Sequence, residues 1–170
     1  MVVNRDGASG TIGTAAVAAA KPDGYTLAFT ASGPLTIQPH VIPTLAYKPG
    51  DLQPLCQVFA SQYVFAVRAD SPFKILDPDY PDAPTLKAMG YQVVSTAFGG
   101  LIGPKGMSDD VVKTIDAARE ESLLDERFRN TARQSSQEAI YRNGLDYARI
   151  LSEDSVVKLD VVIRAGVKGP

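Results

Sequence analysis

The sequence has one cysteine, one histidine and no tryptophan. A lone cysteine forms no internal disulfide, so cysteine usage does not disclose a redox compartment. Cys56 stands in the strand-like run Leu55-Cys56-Gln57-Val58-Phe59, where it reads as a buried, inert thiol rather than a nucleophile. With His40 alone and no CxxC or HExxH spacing, zinc chemistry is excluded and no metal or cofactor is expected. Neither charge sign dominates: 17 basic and 19 acidic residues give a net charge of −2. They are scattered, so no basic stripe exists to neutralise phosphates, and nucleic acid is not an expected partner. No apolar run approaches the roughly 20 residues that cross a bilayer, and the first residues lack the pattern of a signal peptide. Composition leaves open a cytoplasmic protein or an exported one whose signal lies outside this chain.

What the chain does have, in 170 residues of which 45% are hydrophobic, suits one compact domain. Val2 and Val3 read as a strand end, followed by a glycine-rich turn and a helix over 14–21. Pro22-Asp23-Gly24 then breaks the helix, and 25–30 reads as a strand. Strand, helix and strand in that order predict a βαβ unit and parallel pairing. Pro39, Pro43, Pro49 and Pro54 forbid long regular elements in the next stretch. Strands are expected over 55–59 and 62–67, a helical turn over 85–90 and a further strand over 91–97. Between them, residues 75–84 interleave Pro78, Pro81 and Pro84 with Asp77, Asp79 and Asp82, the composition of a linker or exposed loop. Ser108 is a good N-cap for a helix with Asp109 and Asp110 in its first turn. A long helix is expected over 145–165 with Tyr147, Ile150, Leu151, Val157 and Val161 inward and Gly166 ending it.

The glycines and small hydroxyl residues of Gly7-Ala8-Ser9-Gly10-Thr11-Ile12-Gly13 stand at a helix start, where exposed amides hold anions. The spacing is not GxGxxG and no Walker lysine follows. Tight turning and close packing account for the same glycines equally well. Ala31-Ser32-Gly33-Pro34 follows a strand directly, which places it at the carboxyl edge of the sheet, where open α/β folds bind ligands. There Ser32 Oγ and the Gly33 amide can grip a carboxylate, or the turn satisfies only its own backbone. A hydrolase built on Ser32, His40 and Asp51 or Asp70 has no support beyond residue type, because G-x-S-x-G is absent. Asp109-Asp110 and Glu120-Glu121 read as a solvated helix start and face.

Taken in order, three stretches resemble the substrate-binding component of the tripartite tricarboxylate transporters, the Bordetella uptake protein type of periplasmic receptor. They are Asn4 to Gly13, Pro22-Asp23-Gly24-Tyr25-Thr26-Leu27, and Ser32-Gly33-Pro34-Leu35-Thr36-Ile37-Gln38-Pro39-His40. The resemblance continues through Tyr63 to Val67, Ser71 to Lys74, Pro81 to Leu86, Gly90-Tyr91, Gly103 to Met107 and Ala165 to Lys168. It implies an α/β fold of three layers with a mixed, mainly parallel sheet, resembling one lobe of a type II periplasmic binding protein. Lys74 runs into the Asp/Pro-rich stretch where that family inserts most of its second lobe, and the family's first strand has no counterpart. A single lobe over 1–170 is therefore expected, with 75–84 at the insertion point.

The implied function is non-enzymatic capture of small carboxylates for membrane components of the transporter, in the periplasm. Implied ligand-facing residues are Ser32, Gly33, Pro34 and Thr36, with Ser61, Gln62, Phe98 and Gly99 at the crossover strands. Gly7, Ser9, Gly10 and Thr11 form the supporting loop. Two alternatives stand beside this reading. One is a non-binding lobe that pairs with another copy or a partner through its exposed inter-lobe face; the other is a nucleotide-binding enzyme using the glycine loop.

Overall fold

The computed structural model describes residues 1–62 and 96–167. The chain expected over 63–95, including Asp70, the 75–84 linker, the helical turn and parts of two strands, lies outside the described residues, as does Lys168.

The first helix, α1 (Thr11–Ala18), begins directly after a 3-10 turn over Ala8–Gly10. It starts three residues earlier than the sequence suggests because the glycine turn closes at Gly10. Strand β1 (Ala28–Ala31) is shorter than expected. The Asp23 carboxylate accepts from the Tyr25 amide at 3.0 Å, so the turn extends into the residues that looked strand-like. Two four-residue helices follow, α2 (Gly33–Thr36) and α3 (Gln38–Val41), each with proline in its first turn. A 3-10 turn over Pro49–Asp51 leads into β2 (Leu52–Gln62). Beyond the undescribed stretch come β3 (Thr96–Pro104), α4 (Asp109–Ser122), α5 (Glu126–Gln134), β4 (Glu138–Asn143) and α6 (Gly144–Ala165).

These strands form one sheet in the order β1-β3-β2-β4. The α/β class holds, but the expected parallel pairing does not: all three ladders among the described residues are antiparallel. Val2 and Val3 are 93% and 56% exposed and form no strand, so the proposed βαβ unit has no first strand and β1 pairs with β3 instead. Strand β2 takes in the expected strand over 55–59 and continues to Gln62, while the rest of the strand expected over 62–67 lies outside the described residues. β2 absorbs Pro54 at a register shift between Pro54 and Cys56, beyond the end of its ladder with β4, the place where a missing N–H breaks least.

Helices cover both faces. On one, Val17 of α1, Leu35 of α2 and Tyr147 and Leu151 of α6 pack with Ala60, Phe98 and Ile102 of the sheet. On the other, Arg119 and Asp116 of α4 lie within electrostatic reach of Cys56, and the Arg119 guanidinium stacks 5.1 Å over the Phe128 ring of α5. Gly100 permits this close sheet: a Cβ there would stand 2.0 Å from the Cys56 carbonyl oxygen. Val157 and Val161, expected inward on α6, are 56% and 47% exposed. The sheet-facing line of α6 continues from Tyr147 and Leu151 through Asp154 and Lys158, which pair at 3.8 Å.

Candidate binding site

The last residues of β1 and β2 and the first of β3 meet at one end of the sheet. Ala31 pairs with Gly99, Ala60 with Phe98, Ser61 with Ala97 and Gln62 with Thr96. The Ser32 amide donates to the Phe98 carbonyl at 2.8 Å, which fixes the turn leaving β1 against β3. The sequence-derived positions Ser32, Gly33, Ser61, Gln62, Phe98 and Gly99 therefore share this rim.

The glycine loop arrives at the same place. Gly7, Ala8, Ser9 and Gly10 all have positive φ, at 107°, 43°, 54° and 86°. Ala8 and Ser9 carry side chains in a conformation that glycine adopts freely and L-residues resist. The turn is closed by the Gly10 amide donating to Gly7 O at 2.9 Å. A Cβ on Gly10 would lie 3.0 Å from Pro34 Cγ and 3.8 Å from Thr30 Oγ1, so the loop abuts both β1 and α2. No side chain caps α1 or α2; at α2 the Leu35 and Thr36 amides donate to Ser32 O and Pro34 has none, which leaves the Gly33 amide beside the first turn of α1 for an anion to satisfy.

The individual positions do not share one role. Gly33 is open, with nothing within 4 Å of where its Cβ would be. Ser32 stands at the rim but is only 8% exposed. Thr36, expected to face ligand, is fully buried, and its hydroxyl donates to Ser32 O at 3.2 Å; it braces the turn from behind. Pro34 is likewise buried, its carbonyl accepting from Tyr47 Oη at 2.6 Å. The Phe98 ring turns into the core, edge-on to Tyr147 with centroids 6.4 Å apart, so Phe98 serves the rim through its carbonyl. At Gly99 a Cβ would lie 2.4 Å from Thr30 O, which makes close strand packing its requirement. In the supporting loop Gly7 and Ser9 are exposed, while Thr11 is buried and its hydroxyl donates to Ala8 O at 2.9 Å.

Among the described residues the hydrolase constellation does not assemble. His40 Nε2 is 2.8 Å from Ser155 Oγ, tying α3 to α6, and the Asp51 carboxylate accepts from the Lys48 amide at 2.8 Å. Burial pushes the Cys56 thiol pKa up, against use as a nucleophile. Among the described residues no group of His, Cys, Asp or Glu is arranged to hold a metal, and no helix is long and apolar enough to cross a membrane.

Two features went unread in the sequence. A groove of about 410 Å³ runs between the sheet and α6, opening beside Ala60, Thr96 and Phe98. Arg142 in its wall donates to Gln57 Oε1 at 2.7 Å. The groove depends on β4, whose alternation of Ile140 and Arg142 against Ala139 and Tyr141 was the available signal. The second is the buried Tyr47, 5% exposed, whose only sequence signal is an aromatic in an otherwise proline-rich stretch.

The architecture is an open α/β sheet with helices on both faces and main-chain amides at one rim. Residues 1–78 match the model of the tripartite tricarboxylate transporter family receptor. A UPF0065 protein of Bordetella bronchiseptica is 43% identical over 68 residues, which are 39% of this chain and 20% of the relative. The chain thus matches about a fifth of that curated relative's length. Among solved structures, the periplasmic binding protein BugD superposes with a TM-score of 0.81 at 18% identity, covering 96% of this chain and 86% of BugD. A Rhodopseudomonas palustris protein solved with adipate gives 0.83 at 14% identity, covering 98% of this chain and 86% of the other. At these identities the fold is what is shared.

Proposed function

We propose that this chain is a solute-binding protein, or one lobe of one, that captures small organic acids and hands them to the membrane components of a tripartite tricarboxylate transporter. The observation that carries the reading is the convergence of the uncapped start of α1, at the Gly10 loop, and the open Gly33 amide of the Ser32-Gly33 turn at the carboxyl end of β1. Such a rim attracts a carboxylate through amides and helix dipoles. Among the described residues His40 and Asp51, the candidate base and its orienter, are committed elsewhere, and the reading is capture without catalysis. The adipate complex of the Rhodopseudomonas relative and the periplasmic setting of BugD support the ligand class and the compartment.

We take the rim as one side of a clamp, to which an opposing lobe would add donors. Each charge-assisted hydrogen bond forgone costs about 1.5 to 3 kcal/mol, so the loss of two or three moves a micromolar ligand into the millimolar range. The expected outcome of a thermal-shift screen is therefore a rise of about 1 °C or less with millimolar dicarboxylates and none with nucleotides. Stabilisation by nucleotides and not by acids rejects the receptor reading in favour of a nucleotide enzyme.

A second reading, self-association, is favoured by α6. Val156, Val157, Leu159, Val161 and Ile163 are between 40% and 68% exposed along half of this helix, an apolar stretch that burial in a partner would relieve.

A further inference from the structure

The groove between the sheet and α6, about 410 Å³ in volume, has the size of a small-molecule site. Strand β4 lends it Glu138, Ile140 and Arg142, and α6 lends it Ile150 and Val157. One end is built from below. Gln57, 1% exposed, donates from Nε2 to Phe59 O at 3.2 Å and accepts from Arg142 Nη1 at 2.7 Å. A buried amide with both ends committed fixes the direction of its partner, so Arg142 offers its remaining guanidinium N–H donors at a set place in the groove wall. Gln57 stands opposite Arg142 and Ala60 opposite Glu138, so the two charges are offset by the span from Gln57 to Ala60, about 10 Å along the sheet. Both residues are exposed, and neither forms an ion pair among the described residues. The other acids of the groove are paired: Glu153 accepts from Arg149 at 3.0 Å, and Asp154 stands 3.8 Å from Lys158. Ile140 lies between the two uncommitted charges on the strand.

We propose that this groove is a second ligand site, for a small zwitterion that carries its carboxylate and its ammonium at opposite ends of an apolar linker. The carboxylate meets Arg142, the ammonium meets Glu138, and the linker lies on Ile140 beneath Ile150 and Val157. A singly charged acid or amine satisfies one end and leaves the other charge without a partner, so the two ends together select the zwitterion. Arginine and glutamate side chains reaching inward from points about 10 Å apart suit a ligand span of about 6 to 8 Å, at roughly 1.2 Å per bond of an extended chain. The ω-amino acid 6-aminohexanoate and an extended dipeptide both have that span. The charged groups belong to β4 rather than to the rim, so the proposal stands independently of the carboxylate reading.

The test is an NMR titration of the chain with 6-aminohexanoate, hexanoate, hexylamine and glycyl-leucine, read from the Ile140 and Ile150 methyl groups. The expected result is saturable shifts of both residues with 6-aminohexanoate, and affinities about tenfold lower or weaker still for hexanoate and hexylamine, each of which forgoes one charged hydrogen bond. Arg142→Met lowers the 6-aminohexanoate affinity to that of hexylamine and leaves hexylamine binding unchanged. Glu138→Gln lowers it to that of hexanoate and leaves hexanoate binding unchanged. Glycyl-leucine binding as tightly as 6-aminohexanoate supports a peptide as the source of the zwitterion, and weaker binding supports an ω-amino acid. Methyl groups unmoved by 6-aminohexanoate, or a singly charged analogue binding as tightly, overturn the assignment. That comparison uses the wild-type chain alone, so it decides even if Arg142→Met, which strips Gln57 of its donor, fails to fold. Shifts confined to the Gly10 and Gly33 amides place the ligand at the rim, overturning the groove site while leaving the carboxylate reading intact.

Discussion

Gly10 is the residue on which both walls of the rim depend, because its φ of +86° and its 3.0 Å clearance to Pro34 Cγ each exclude a side chain. Left-handed backbone costs an L-residue about 1 to 2 kcal/mol, and the contact adds to it. Gly10→Ala should lower stability by about 2 kcal/mol in urea titrations; an unchanged midpoint would mean that the loop does not hold this geometry. By sequence these glycines suit anion binding and tight packing equally, and in the fold they divide. Gly10 and Gly99 are required by packing, whereas Gly33 is open. Thr36 was legible as part of a hydroxyl-rich motif, but not as its inner side, because a side chain's direction in a one-turn helix follows from packing that no local spacing encodes.

Among the elements, α4 and α6 were readable in advance and α5 and β4 were not. Ser108 caps α4, its hydroxyl accepting from the Val111 amide, and Gly166 ends α6 at φ +63°. Local chemistry fixed both ends. Strand β4 is a six-residue edge strand with no residue fully buried, so its hydrophobic alternation is too weak to stand out. Helix α5 is highly charged, and its one clear signal is Asp125, whose carboxylate accepts from the Arg127 and Phe128 amides at 2.7 and 3.2 Å. The Arg127 side chain, together with those amide bonds, holds the Asp125 carboxyl down to about 2. A depressed carboxyl pKa contributes stability above the unfolded-state value near 4, and that contribution fades as pH falls toward 2. Asp125→Ala should therefore weaken α5 at neutral pH, with the difference from wild type vanishing near pH 2. Helicity of α5 followed by NMR across that range checks it; a difference independent of pH would contradict the capping role.

At the level of the whole molecule, the α/β class was legible from the alternation of element types, but strand direction was not. Parallel pairing was inferred from a strand, helix, strand order whose first strand does not form, and the ladder between β1 and β3 joins segments some 70 residues apart. Long-range partners of this kind leave no mark on local pattern. The exposed half of α6 was missed because an apolar periodicity was assumed to face inward, whereas the Asp154 and Lys158 pair occupies that line. If α6 mediates self-association, sedimentation velocity should show a concentration-dependent dimer that Val156→Glu with Ile163→Glu abolishes; a monomer at all concentrations dismisses that alternative.

The central claim is that main-chain amides at the carboxyl end of β1 receive an organic anion. An adipate titration of the wild-type chain, followed amide by amide, tests it most directly. The account predicts saturable shifts in the millimolar range centred on Gly10 to Gly13 and on Gly33. Shifts absent from those amides, or centred instead on the far end of the sheet around Leu52 and Pro104, would contradict it.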